Sequence, residues 1–182
     1  MLSVKKRYEQ ENLKMREIVL DTETTGLSPK NGDKIVSIGA VELIDDKPEG
    51  CFYAEIDPMR PIPDEVSAIH GLTNEKLKNA PAFFEVAPAF LDFIKDSPLV
   101  IHNARFDMAF INAELTAAGF EPVDESRIID TLPMAKRLFP SERVNLDALC
   151  ERFDVSLKER ILHGALLDAR LLTSVYLRMK GM

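Results

Sequence analysis

Apolar and polar positions alternate along this chain in short blocks of two kinds. Residues 17–21 (EIVLD) are apolar on both faces, the pattern of a strand covered on both sides. Residues 34–43 (KIVSIGAVEL) and 50–57 (GCFYAEID) predict two more strands, and the run from Asp45 through Lys47, Pro48 and Gly50 predicts the hairpin turn between them. Beyond a loop at 58–63, short helical pieces are expected at 64–69 and 74–78, then a helix at 83–95 and a buried strand at 99–101. Helices follow at 104–118, 132–138, 145–153 and 164–179, with 128–129 as the last strand. Antiparallel strands followed by alternating strands and helices predict an α/β chain, a mixed five-stranded sheet flanked by helices. Reactive groups in such sheets collect beyond the carboxyl ends of the parallel strands. That rule directs attention to Asp21 and the residues just after it.

Composition narrows the picture. A chain of 182 residues, 46% hydrophobic and 29% charged, has the size and balance of one ordinary domain. No apolar run approaches the ~20 residues that cross a bilayer, so no membrane partner is expected. Residues 1–15 form a polar N-terminal extension, disordered in character and without the apolar stretch of a secretory signal, leaving 16–182 as a single domain. Met15 is an alternative start, and the extension has no functional reading. Cys51 and Cys150 lie far apart in apolar-periodic segments, which argues against a disulfide and for a reducing, cytoplasmic setting. The net charge of −7 is wrong for a protein held to nucleic acid by phosphate neutralisation. It remains compatible with that substrate if bound divalent cations reverse the sign of the site, with a weak grip unless a partner holds the complex together.

Four carboxylates and a histidine stand in unusual places. Asp21 and Glu23, two apart at a strand end, project to one face and repel unless a cation lies between them. Two solvated carboxylates in a turn is the plain alternative. Asp168 shares a helix stripe with Leu171, Leu172 and Val175, where an unpaired charge is costly. A buried salt bridge would account for it, but Arg170 points elsewhere on that helix. Asp107 likewise faces Phe110 and Ile111. It could serve merely as a favourable first-turn charge, with Asn103 as the helix N-cap. His163, before Gly164, belongs to the loop entering the last helix and is free of the helical phase that would keep it from Asp168.

Three motifs join these residues: Ile18-Val19-Leu20-Asp21-Thr22-Glu23-Thr24-Thr25-Gly26-Leu27, then His102-Asn103-Ala104-Arg105-Phe106-Asp107, then His163-Gly164-Ala165-Leu166-Leu167-Asp168-Ala169. In order and separation they resemble the DEDDh group of 3′–5′ exonucleases on the ribonuclease H-like fold. Ile69-His70-Gly71-Leu72 and Asn145-Leu146-Asp147-Ala148-Leu149-Cys150 extend the likeness toward the branch of proofreading (epsilon) subunits of bacterial DNA polymerase III. Thr25 stands where oligoribonucleases usually carry Met.

The resemblance implies that Asp21, Glu23 and Asp168 hold one divalent ion, Mg²⁺ or Mn²⁺. Asp21 would bridge to a second, supported by Asp107. It further implies that His163 is the general base toward the attacking water, and that nucleoside monophosphates leave from single-stranded or frayed DNA 3′ ends. All-oxygen ligands suit hard cations, and a pair of ions about 4 Å apart can clamp an in-line displacement at phosphorus. By the same resemblance Thr24, Leu27, Ile69, His70, Asn103 and Phe106 would line the pocket for the terminal nucleotide, with core packing the alternative for the apolar three. His102 and Asp130 are weaker candidates. An exoribonuclease on the same fold and a catalytically idle polymerase-binding module are the competing readings. The branch usually continues into a tail that reaches a replicative polymerase subunit. This sequence stops at Met182, so a stand-alone nuclease and a piece of a longer subunit are both open.

Overall fold

The computed structural model describes residues 14–182. The polar extension expected over 1–15 lies outside them apart from Lys14 and Met15. Five strands form one mixed sheet: β1 (Arg16–Thr24), β2 (Ile35–Ile44), β3 (Lys47–Glu55), β4 (Leu99–Ile101) and β5 (Ile128–Asp130), in the order β3-β2-β1-β4-β5. β2 pairs antiparallel with β1 and β3, while β4 runs parallel to β1 and β5. The expected sheet is therefore present, with β1 at its centre.

The hairpin turn is tighter than the sequence pattern suggested. Only Asp45 and Asp46 turn, both in the left-handed region at φ 50° and 62°, as a two-residue primed turn requires and as Asp tolerates. β3 consequently begins at Lys47 and takes in Pro48, which an edge strand accepts because its missing N–H is not needed by a neighbour.

Helices α1 (Asp64–His70), α2 (Asn74–Leu77) and α3 (Phe83–Ile94) follow the hairpin, α4 (Ala104–Ala117) follows β4, and α5 (Thr131–Leu138), α6 (Leu146–Arg152) and α7 (Ala165–Lys180) complete the chain. Side chains alternate across β1, and this alternation sorts the protein into two layers. Ile18 and Leu20 join Ile38, Phe90, Ile94, Phe110, Ile111 and Leu115 in a core beneath α3 and α4. Val19 faces the other way, packing with Val41, Val100, Ala169, Leu172 and Tyr176 under α7. Side chains cap several starts: Thr73 Oγ1 accepts from the Lys76 amide ahead of α2, Asn145 Oδ1 from the Ala148 amide ahead of α6, and Asp130 Oδ1 from the Leu132 amide ahead of α5. Asn145 is therefore a cap and not part of a helix beginning at 145.

α7 approaches the sheet most closely at Gly39 of β2. A Cβ there would lie 2.1 Å from the Leu166 nitrogen and 2.2 Å from the Ala165 carbonyl carbon. Gly39 is the register partner of Asp21, so this glycine lets the first turn of α7 settle directly over the carboxyl end of β1.

Candidate active site

Continuing the alternation past the apolar residues of β1 sends its last polar side chains to opposite layers. Thr22 points toward α4, where its amide (3.0 Å) and hydroxyl (2.7 Å) both donate to Asp107 Oδ1. Asp21 and Glu23 point toward α7 and Asp168 on its first turn. Glu23, His163 and Asp168 each bring a ligand atom within 4.8 Å of the others. Asp21 and Asp107 lie outside that trio, but Asp21 feels the charges of Asp107, Glu23 and Asp168. The five residues singled out from sequence thus meet around one end of β1.

Burial, joined at Asp21 and Glu23 by crowding, makes Asp21, Glu23 and Asp107 reluctant to ionise. Burial pushes Glu23 up to about 8, with the Asp168 charge adding to it and Arg160 opposing. Burial likewise raises Asp107 to about 7 against the Thr22 hydrogen bonds, which favour the carboxylate. Asp21 is raised well above the ordinary carboxylate value, first by burial and then by Asp107, Glu23 and Asp168.

Sequence reasoning missed Arg160. Its Nε donates to Asp168 Oδ1 at 2.6 Å and its Nη2 to Asp168 Oδ2 at 2.7 Å, a bidentate pair. Asp168 is therefore in a buried salt bridge after all, with a partner from the loop before α7 instead of from its own helix. The only signal available was an arginine three residues ahead of His163, with no periodicity to link it to Asp168. Thr22 and Gly39 were missed as well. Gly39 carried a visible clue, a glycine inside a strand pattern, which marks close backbone approach.

The remaining candidates divide. Leu27 is 86% exposed and Ile69 50% exposed, so core packing does not account for either. Leu27, Asn103 and Phe106 line one open cleft of about 370 Å³ with Lys30 and Arg105. Asn103 holds the N-cap position of α4 in the left-handed region (φ 63°), yet its side chain makes no capping bond, which corrects the capping alternative. Ile69 and His70 end α1, where the Ile69 carbonyl accepts from the His163 amide at 3.0 Å and so ties the two segments together.

His70 is buried. Its Nδ1 accepts from the Leu72 amide, while its Nε2 has no hydrogen-bond partner among the described residues. Burial lowers its pKa; the Thr24 backbone lies near enough to oppose this without bonding geometry, and His163 adds to the lowering. Thr24 donates its hydroxyl to the Gly26 carbonyl at 2.6 Å, shaping the turn that presents Leu27. His102 and Asp130 are engaged structurally. His102 Nδ1 pairs with the Thr131 hydroxyl at 2.8 Å, and Asp130 accepts from the Asn103 amide as well as capping α5.

Comparison with known proteins places this arrangement among relatives. The model of a family described as "Exonuclease" matches residues 18–176. The protein named DNA polymerase III subunit epsilon from Rickettsia felis (strain ATCC VR-1525 / URRWXCal2) is 48% identical over 171 residues, spanning 92% of this chain and 75% of that one. Among solved structures, one described as "Exonuclease X in complex with 5′ overhanging duplex DNA" superposes with a TM-score of 0.72 at 27% identity, covering 92% of this chain and 91% of that one. The nuclease domain of 3′hExo, described as a DEDDh family member bound to rAMP, shares the fold at a TM-score of 0.76 and 16% identity, with 93% and 94% covered.

Proposed function

This chain belongs to the exonuclease family, and from that premise we propose that it is a 3′–5′ exonuclease that proofreads DNA during replication, hydrolysing phosphodiester bonds at single-stranded or frayed 3′ ends. The observation that carries the proposal is the convergence of Glu23, His163 and Asp168, with Asp21 and Asp107 beside them, at the carboxyl end of the central strand.

The donor set fits a hard divalent cation. Its carboxylates supply only oxygen, and at Asp21 and Glu23 the mutual repulsion that adds to burial is what a bound cation would relieve. Asp21, Glu23, Asp107 and Asp168 are the residues that would hold the ions. Mg²⁺ or Mn²⁺ ions held there would supply positive charge to stabilise the phosphate and the leaving 3′ oxygen. His163, 48% exposed at the mouth of the site, takes the proton of the attacking water. The water oxygen bonds to phosphorus as the P–O3′ bond breaks and O3′ takes up a proton from solvent, releasing a nucleoside 5′-monophosphate and a strand one unit shorter.

Leu27 and Ile69 present apolar surface to solvent, where a terminal base can cover it. Phe106 and Asn103 line the cleft beside Leu27, Thr24 holds the turn, and His70 follows Ile69 at the end of α1 with its Nε2 buried and unpartnered among the described residues. Residues 16–182 act as one exonuclease domain in this reading, with a replicative DNA polymerase subunit as partner. No helix among the described residues is long and apolar enough to cross a membrane. Both cysteines are free, in keeping with a reducing cytoplasm.

The test is degradation of 5′-labelled DNA and RNA single strands of identical sequence, with Mg²⁺, Mn²⁺ or excess EDTA, beside Asp168→Ala. The expected result is a ladder shortening from the 3′ end of DNA, absent in EDTA and in the variant. Faster loss of RNA would move the protein to the exoribonuclease reading. No cleavage by folded protein would favour a binding module.

A further inference from the structure

Arg160 has no part in the chemistry just described, yet its guanidinium binds that chemistry's groups from the centre. Besides the bidentate pair with Asp168, Nη2 lies 3.0 Å from His163 Nδ1, and Nη1 reaches the Asp147 carboxylate at 2.5 Å. Its side chain is only 8% exposed. A guanidinium can donate hydrogen bonds but never accept them, and it does not deprotonate. The contact with Nη2 draws the imidazole against the same guanidinium, and His163 Nδ1 also lies 3.4 Å from Asp168 Oδ2. Both oxygens of Asp168 are engaged at the same time.

We propose that Arg160 is a latch on the metal-free site, a positioning residue that pins Asp168 and His163 in an inactive pairing and releases both when a divalent ion takes Asp168. This rests on the reading that the carboxylate cluster holds such an ion. The exchange replaces one cation by another against the same carboxylate, so the buried cluster is never left without positive charge. Asp147, half-exposed at the rim, remains as the partner for the released guanidinium. The latch explains how crowded acids fold together without metal.

Calorimetric titration of the full chain with Mn²⁺, without nucleic acid, compares the wild type with Arg160→Gln and Arg160→Lys. The glutamine variant is expected to bind Mn²⁺ about tenfold more tightly, because a charge-assisted pair no longer competes, and the lysine variant to fall between. The thermal midpoint of metal-free Arg160→Gln should drop, and saturating Mn²⁺ should restore it to that of the loaded wild type. In the wild-type protein the Arg160 Nε–H resonance, shifted by its bond to Asp168, should move when Mg²⁺ saturates the site. This last measurement decides the matter alone if the glutamine variant does not fold.

Equal or weaker Mn²⁺ affinity in folded Arg160→Gln, or an Nε–H signal indifferent to Mg²⁺, would overturn the latch while leaving the metal site standing. Absence of binding in all three proteins would overturn the metal reading, and the latch with it.

Discussion

Gly39→Ala adds one methyl group between the sheet and the first turn of α7, and its effect can be worked out from the contacts. The new Cβ would lie 2.1 Å from the Leu166 nitrogen, 2.2 Å from the Ala165 carbonyl carbon and 2.4 Å from the Leu166 Cα, whereas ordinary contact begins at 3.4 Å. All three are backbone atoms, so no side chain can rotate out of the way. β2 cannot yield easily, being paired with β1 on one side and β3 on the other. The end of α7 must therefore retreat by about 1 Å or more to restore ordinary contact. Asp168 travels with it, and Asp21 and Glu23 stay behind on β1.

A misplacement of about 1 Å in a catalytic constellation costs roughly 10²-fold in rate. Overpacking costs about 1–3 kcal/mol, and the stiffer unfolded chain returns about 0.4–1 kcal/mol. The net is about 1–2 kcal/mol, or a thermal midpoint lower by about 2–8 °C for a chain of this size. The assay is the initial rate of mononucleotide release from single-stranded DNA at saturating Mg²⁺, alongside thermal unfolding. Gly50→Ala in the same hairpin is the control, since its Cβ would meet only the flexible end of Glu42, at 2.9 Å, and should leave the rate near wild type. Wild-type rate and midpoint in Gly39→Ala would refute the claim that this contact sets the carboxylate spacing.

Two further outcomes arise from the charges. Burial and crowding raise Glu23 to about 8 and Asp107 to about 7, so the metal-free folded protein keeps protons that the unfolded chain releases. The stability these groups contribute is present below the unfolded carboxylate range near about pH 4 and is lost as pH rises through about 7 to 8. The thermal midpoint in EDTA should therefore fall over that interval, and Mg²⁺ should raise it most at the alkaline end; a midpoint in EDTA that climbed instead would contradict the account. Thr22→Val removes the 2.7 Å hydroxyl bond to Asp107 and spares the amide bond, so Asp107 should ionise less readily. Mg²⁺ affinity near neutral pH should fall roughly tenfold and recover in alkali, as calorimetry would measure; unchanged affinity would show that Thr22 does not tune this carboxylate.

Much of this protein is specified by local pattern. The uninterrupted apolar run before Asp21 specifies a strand covered on both faces, and β1 is that strand. Side-chain alternation is a property of any extended backbone, so Asp21 and Glu23 had to share a face wherever the strand was placed. The helical stripe containing Asp168, and the loop position of His163 before Gly164, were legible for the same reason: each depends on a few consecutive residues.

Tertiary packing decided which groups meet across layers. That Thr22 bonds Asp107 while its neighbours face Asp168 depends on α4 and α7 lying on opposite sides of β1. That Gly39 admits α7 depends on an approach distance which no periodicity encodes. Arg160 reaches Asp168 through an irregular loop, where the backbone direction is set by contacts such as that between the His163 amide and the Ile69 carbonyl. Sequence spacing predicts direction only while the backbone repeats. Where it does not, the partner of a buried charge is settled by whichever donor the folded chain brings within hydrogen-bonding distance, and for Asp168 that donor was Arg160.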